Sequence, residues 1–216
     1  VQDDLVATRS KLHGALADPT RLAIVDELSV SDRTPSELSE RFGLAGNLLA
    51  HHLDVLTQVG LVERFVSAGD RRRRYVRLDR RPLSLLGLAS VTAPSTVLFV
   101  CTHNSARSQL AAALWRDRVG TRATSAGTNP AEQIHPGAVA AGRRVGLDLS
   151  GARPHLLSEN DLNVQVVTVC DRAHEELNPD DAWWHWSIPD PVDIGTAAAF
   201  DAVIADIETR LSTLTS

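Results

Sequence analysis

The sequence predicts two domains: a mainly helical winged helix-turn-helix, then an α/β domain with a parallel sheet. Three observations predict this. Helix-capping signals and two short strand runs fill the first eighty or so residues. From Val97 the pattern changes to apolar strand, short loop and helix, the opening unit of an α/β sheet. Between them, residues 89–95 are small, uncharged and without clear period, as in a linker. The expected domains are therefore 1–88 and 96–216, with 89–95 joining them.

Each element has its own warrant. A first helix covers Asp4 to Ala17, with Leu5, Leu12 and Leu16 among its apolar positions. Asp18-Pro19 is an N-cap followed by proline at the first helical position. The helix it opens runs to about Val30, with Leu22, Ile24, Val25 and Leu28 apolar. Thr34-Pro35-Ser36-Glu37 fits a capping box for a short third helix that ends near Gly43. A fourth helix spans about Ala45 to Gly60, where glycine suits a left-handed cap. Leu61–Val66 and Arg73–Leu78 read as a hairpin around Ser67-Ala68-Gly69-Asp70. Two helices on a tight turn followed by an arginine-tipped hairpin make a winged helix-turn-helix.

Composition narrows the class. The chain has 216 residues, 43% of them hydrophobic, with no apolar window long enough to span a membrane. Val1-Gln2-Asp3-Asp4 lacks the basic start of a signal peptide, and two cysteines argue against a disulfide scaffold. A cytoplasmic protein is expected. Residues 1–90 carry a net charge of +1 and residues 91–216 a net of −6. Nucleic-acid binding is signalled only locally, by seven arginines between Arg71 and Arg81.

The second domain carries the chemistry. Val97–Val100 reads as a strand and Gln109–Trp115 as a helix; between them lie Cys101-Thr102-His103-Asn104-Ser105-Ala106-Arg107-Ser108. A loop from strand to helix gathers backbone N–H groups around one anion. Cys101 would attack, Arg107 would fork onto two oxygens, and Ser108 would stabilise the thiolate. The same field is expected to lower the thiol pKa. Pro189-Asp190-Pro191 offers a carboxylic acid, or simply a turn. Cys170 ends the apolar run 164–169 and is either a buried strand cysteine or a second redox thiol.

Four segments, Val100–Gln109, Ser125–Thr128, His135–Ser150 and Trp186–Pro191, resemble the low-molecular-weight tyrosine phosphatase fold and, within it, the arsenate reductases. The resemblance implies Cys101 as nucleophile and Asp190 as general acid. It further implies Thr102, His103, Asn104, Ser105, Ala106 and Arg107 as the oxyanion cradle. Arsenate reductases of the thioredoxin-coupled type place one redox cysteine at the position of Cys170 and another about seven residues on. Here that later position is Leu177. Either Cys101 pairs directly with Cys170, or an external thiol attacks the Cys101 adduct. A mycothiol, glutathione or thioredoxin system is the implied reductant, reaching the site with a thiol oxidoreductase. No tightly bound cofactor or metal is expected.

The segments Ala15–Leu22, His51–Leu56 and Val59–Val62 make residues 10–81 resemble the ArsR family of metalloid-responsive repressors. That resemblance implies a homodimer on duplex DNA. Asn47 and His51 would reach base edges, and Arg71, Arg72, Arg73 and Arg74 would meet phosphates. His51 and His52 are adjacent and read as one DNA-facing and one packing residue. Ala45–Ala50 is poor in polar groups, and Asp54 stands where a basic residue is frequent. A domain kept for dimerisation is the alternative. The implied function is thiol-dependent reduction of arsenate to arsenite, fused to a DNA-binding regulator. A tyrosine phosphatase with a regulatory domain, or an oxyanion-sensing regulator with little turnover, stays open.

Overall fold

A computed structural model describes residues 2–86, 91–179, 181–212 and 214–215. The chain forms two compact units, Val1–Ser67 with Arg71–Ala89, and Ala68–Asp70 with Ser90–Ser216.

The first unit holds α1 (Gln2–Leu16), α2 (Pro19–Val30), α3 (Pro35–Phe42), α4 (Gly46–Gln58) and the antiparallel hairpin β1 (Val62–Val66) and β2 (Arg74–Leu78). The caps explain the helix starts. Asp18 accepts the Arg21 N–H at 3.0 Å, with Pro19 following it. Thr34 accepts from Glu37 N–H at 3.3 Å, and the Glu37 carboxylate accepts from Thr34 N–H at 2.5 Å. Gly43 ends α3 at φ +61°, which turns the chain tightly into α4. Leu12, Ile24, Leu28, Leu38, Leu53, Leu56 and Val76 are buried together as the core. Leu5 and Leu22, apolar by periodicity, are exposed. Arg33 adds one bridge to β2, exchanging both backbone hydrogen bonds with Val76.

The second unit contains β3 (Val91–Thr92), β4 (Thr96–Cys101), α5 (Arg107–Arg118), β5 (Arg122–Gly127), α6 (Pro136–Arg144), β6 (Gln165–Thr168), α7 (Asp171–Leu177), β7 (Trp184–His185), α8 (Pro191–Ile194), α9 (Ala197–Leu211) and β8 (Leu214–Thr215). Four strands form a wholly parallel sheet in the order β5-β4-β6-β7. β4 is central and buried, so its run of apolar residues without alternation is what its place requires. Phe99 sits between Trp115 and Trp186, ring centroids 5.6 and 5.5 Å away. Of the stretch expected as a linker, residues 89 and 90 lie outside the described residues. Val91 and Thr92 form β3, which pairs in parallel with β8. Among the described residues no helix is long and apolar enough to cross a membrane.

Candidate functional site

β4 delivers Cys101 to the carboxyl edge of the sheet, and the chain loops at once into α5. The carbonyls of Cys101, Thr102, His103 and Ser105 accept from the N–H groups of Thr128, Asn129, Ala131 and His135. With those carbonyls turned outward, the planar peptide units turn the following N–H groups inward. The Asn104 N–H shows this direction, lying 3.1 Å from Cys101 Sγ. α5 starts without a side-chain cap or an acidic residue in its first turn, which leaves its N–H groups for an anion.

Asn104 holds the loop's shape. It adopts φ +47°, a left-handed conformation that asparagine tolerates better than most residues. Its Nδ2 donates to Ser108 Oγ at 2.8 Å; its Oδ1 accepts from Gln109 Nε2 at 3.0 Å and from His155 N–H at 2.8 Å. Ser108 Oγ in turn lies 3.0 Å from Cys101 Sγ. Gly127 has a steric reason: a Cβ there would sit 2.7 Å from Thr102 O and 3.0 Å from Asn104 N. Gly127→Ala is expected to displace the loop and lower turnover at least about tenfold, as a misplacement near 1 Å does. Steady-state kinetics checks it, and an unchanged rate would show that the loop tolerates the methyl.

Arg107 donates through Nη1 to Ile188 O at 3.0 Å and through Nη2 to Asp190 Oδ2. Asp190 also caps α8, its Oδ1 accepting from Val192 N–H at 3.0 Å. It is thus both a turn residue and the partner of the cradle's arginine. Burial pushes the Cys101 thiol up, against the Arg107 charge and the Ser108 hydrogen bond. This corrects the expectation of a lowered thiol: desolvation outweighs the cradle's field. Cys170, also buried, lies with its Sγ 3.3 Å from Thr102 Oγ1. Cys101, Thr102, Arg107, Cys170, Asp171 and Asp190 line one cavity of about 170 Å³, to which the described residues contribute no Phe, Tyr or Trp.

In the first unit α4 buries His52 together with Leu49, Leu53 and Leu56 and exposes His51. Asn47 and Leu48 are exposed on the same helix, and Arg71, Arg72, Arg73 and Arg74 are exposed on the hairpin. Asp54 pairs with Arg64 at 2.7 Å, so its charge is met within the unit.

Residues 96–216 match the profile of the low molecular weight phosphotyrosine protein phosphatases, more than half of the chain. The chain belongs to that family. A helix-turn-helix profile matches residues 16–64, so this phosphatase-family chain also carries a helix-turn-helix domain. Among curated relatives, arsenate reductase 2 of Staphylococcus haemolyticus is 34% identical over 102 residues, covering 44% of this chain and 78% of that protein. Among solved structures, an arsenate reductase from Archaeoglobus fulgidus is 29% identical, covering 53% of this chain and 94% of that one, with a TM-score of 0.44. The tyrosine phosphatase amsI of Erwinia amylovora is 19% identical, covering 56% and 91%, with a TM-score of 0.49. The family assignment rests on the sequence matches. Gly127, His155 and Asp171 were not singled out by sequence reasoning, because their partners lie far along the chain; nor was Gln109, which meets Asn104 five positions back and Arg153 O far ahead. The one local signal, Gly127 as the last residue of β5, marks a close approach only once the opposing loop is known.

Proposed function

We propose that the second unit reduces arsenate to arsenite with an external thiol, and that the first is a dimeric ArsR-type DNA-binding domain. One observation carries the enzymatic reading: Cys101 and Arg107 line one small cavity without an aromatic wall. Such a cavity suits an inorganic tetrahedral oxyanion better than an aryl phosphate. The Cys101 thiolate attacks arsenic, an As–S bond forms, and one oxygen leaves as water on a proton from Asp190. Arg107 and the loop amides hold the remaining oxygens. A second thiolate then attacks Cys101 Sγ. The S–S bond forms, the S–As pair stays on arsenic, and As(V) leaves as As(III). A further thiol reduces the mixed disulfide and frees Cys101.

The test is arsenite production by the purified chain with thioredoxin, glutathione and mycothiol systems in turn, beside aryl phosphate hydrolysis. Arsenite with one thiol system and little hydrolysis supports the reading; the reverse makes the chain a phosphatase. Leu177 leaves Cys170 without a following exchange partner, so Cys170→Ala is expected to keep near-wild-type arsenite production in a glutathione- or mycothiol-coupled assay. Loss of turnover, with a Cys101–Cys170 disulfide trapped in the oxidised wild type, would make this a two-cysteine enzyme instead.

For the first unit, affinity for duplex DNA is expected to fall steeply with salt. Replacing Arg71, Arg72, Arg73 and Arg74 by alanine should weaken binding to all sequences and flatten the salt slope by up to about 0.9 per lost phosphate contact. Fluorescence anisotropy at several salt concentrations reads both. Wild type at background level in low salt would leave dimerisation as the domain's role.

A further inference from the structure

The hydroxyl of Ser108 has two partners among the described residues, Cys101 Sγ at 3.0 Å and Asn104 Nδ2 at 2.8 Å. Which atom donates between Ser108 and Cys101 is decided by the groups behind Asn104. Asn104 Oδ1 faces two donors, Gln109 Nε2 at 3.0 Å and the His155 N–H at 2.8 Å. Gln109 Nε2 also donates to Arg153 O at 3.1 Å. Gln109 therefore uses both amide protons, one on a side chain and one on a backbone carbonyl. It is buried and does not line the cavity.

The two amides have one compatible orientation. Turning Gln109 over would set its oxygen against Arg153 O. Turning Asn104 over would set its NH2 against the His155 N–H. Backbone groups thus fix both, and that backbone is itself held: the Gly127 N–H donates to His155 O, and the Leu157 N–H to Gly127 O. With Nδ2 aimed at Ser108 Oγ, Asn104 makes that oxygen an acceptor. The single hydroxyl proton then has one acceptor within reach, Cys101 Sγ. Sent anywhere else it would be a buried donor without a partner. Sulfur therefore receives two hydrogens, from the Ser108 hydroxyl and from the Asn104 N–H. A thiolate accepts both, so the arrangement favours the ionised form.

We propose that Gln109 is a positioning residue: it relays the direction of the Arg153 carbonyl through Asn104 to Ser108, and so keeps a hydroxyl proton on Cys101 Sγ. The inference deepens the reading of Cys101 as nucleophile, on which its bearing on turnover rests. Gln109→Glu shows what the relay does. It keeps the size and removes the donors, so a carboxylate faces Arg153 O and Asn104 Oδ1. A turn of the Asn104 amide relieves this. Nδ2 then donates to the carboxylate, Oδ1 takes the Ser108 proton, and sulfur loses it.

The test is the pH dependence of Cys101 alkylation by iodoacetamide on the full chain, followed by mass spectrometry of the Cys101 peptide so that Cys170 does not contribute. Gln109→Glu should lower the thiolate fraction at neutral pH about tenfold and move the profile about one pH unit alkaline, the scale of one charge-assisted hydrogen bond. Gln109→Met, which buries no charge, should move it the same way by about two- to threefold, because the His155 N–H still holds Asn104. Ser108→Ala should match Gln109→Glu. The double variant of Ser108→Ala with Gln109→Glu should move no further than Ser108→Ala, because Gln109 acts through that hydroxyl. An unshifted profile in both Gln109 variants would overturn the inference. So would a Gln109→Glu shift that persists in full on top of Ser108→Ala, which would make the effect one of general packing. Alkylation uses no arsenate, so a wild type that makes no arsenite would overturn the reductase reading and leave this result standing.

Discussion

Replacing Cys101 by serine is expected to lower arsenate turnover by more than about a thousandfold, the scale on which a lost nucleophile acts. Oxyanion binding should survive, because the proposed cradle consists of loop amides, the α5 N-terminus and Arg107 rather than sulfur. Ser108 and the Asn104 N–H, 3.0 and 3.1 Å from Sγ, would meet a hydroxyl as readily as a thiol. Calorimetric titration with phosphate beside a turnover assay reads both quantities. Substantial remaining reduction would remove Cys101 from the nucleophile's place. The pH sign follows from burial. The Cys101 thiol is pushed up, so its proton is retained further into the alkaline range. Wild-type adduct formation therefore gains from rising pH until the incoming anion's own ionisation opposes it.

Asp190→Asn should separate chemistry from binding. The proposed acid would supply a proton to the departing oxygen, so its loss should slow adduct formation by about a hundredfold or more. Phosphate binding at neutral pH should become tighter, because the Asp190 carboxylate pairs with the same Arg107 guanidinium that an oxyanion must engage. Removing that negative charge frees the arginine and ends the repulsion between carboxylate and anion. Single-turnover rates and phosphate titrations of the two proteins are the measurements. An unchanged rate with unchanged affinity would leave Asp190 only its cap on α8.

Features set by near neighbours were readable from the sequence. The Thr34–Glu37 box, the Asp18 cap and the Gly43 turn involve residues at most a few positions apart, and each formed as expected. His51 and His52 differ because only His52 falls on the buried face of α4, which Leu49, Leu53 and Leu56 mark in the sequence. Strand, loop and helix around Cys101 were legible for the same reason. The exposure of Leu5 and Leu22 was not, because periodicity marks an apolar face without saying what covers it. Nor was the sign of the Cys101 shift: the cradle's charges can be read from the loop, but the depth of burial belongs to the folded unit. Asn104 meets His155 across 51 positions, and Arg33 meets Val76 across a comparable stretch. No local pattern announces such partners.

The central place of β4 also bears on when the reactive loop comes into being. The strand before it pairs with β5 on one side and β6 on the other, and Asn104 is held by Gln109 and by the backbone of His155. Several of these ties span long loops whose ends must meet before the contacts repay the lost chain entropy. The loop therefore sets only after the sheet has closed around it. Before that closure Cys101 is an ordinary exposed thiol; afterwards it is reached only through the cavity it lines. The sulfur thus reports on folding: its rate of reaction with an alkylating reagent is expected to change as the sheet closes and the cavity forms around it.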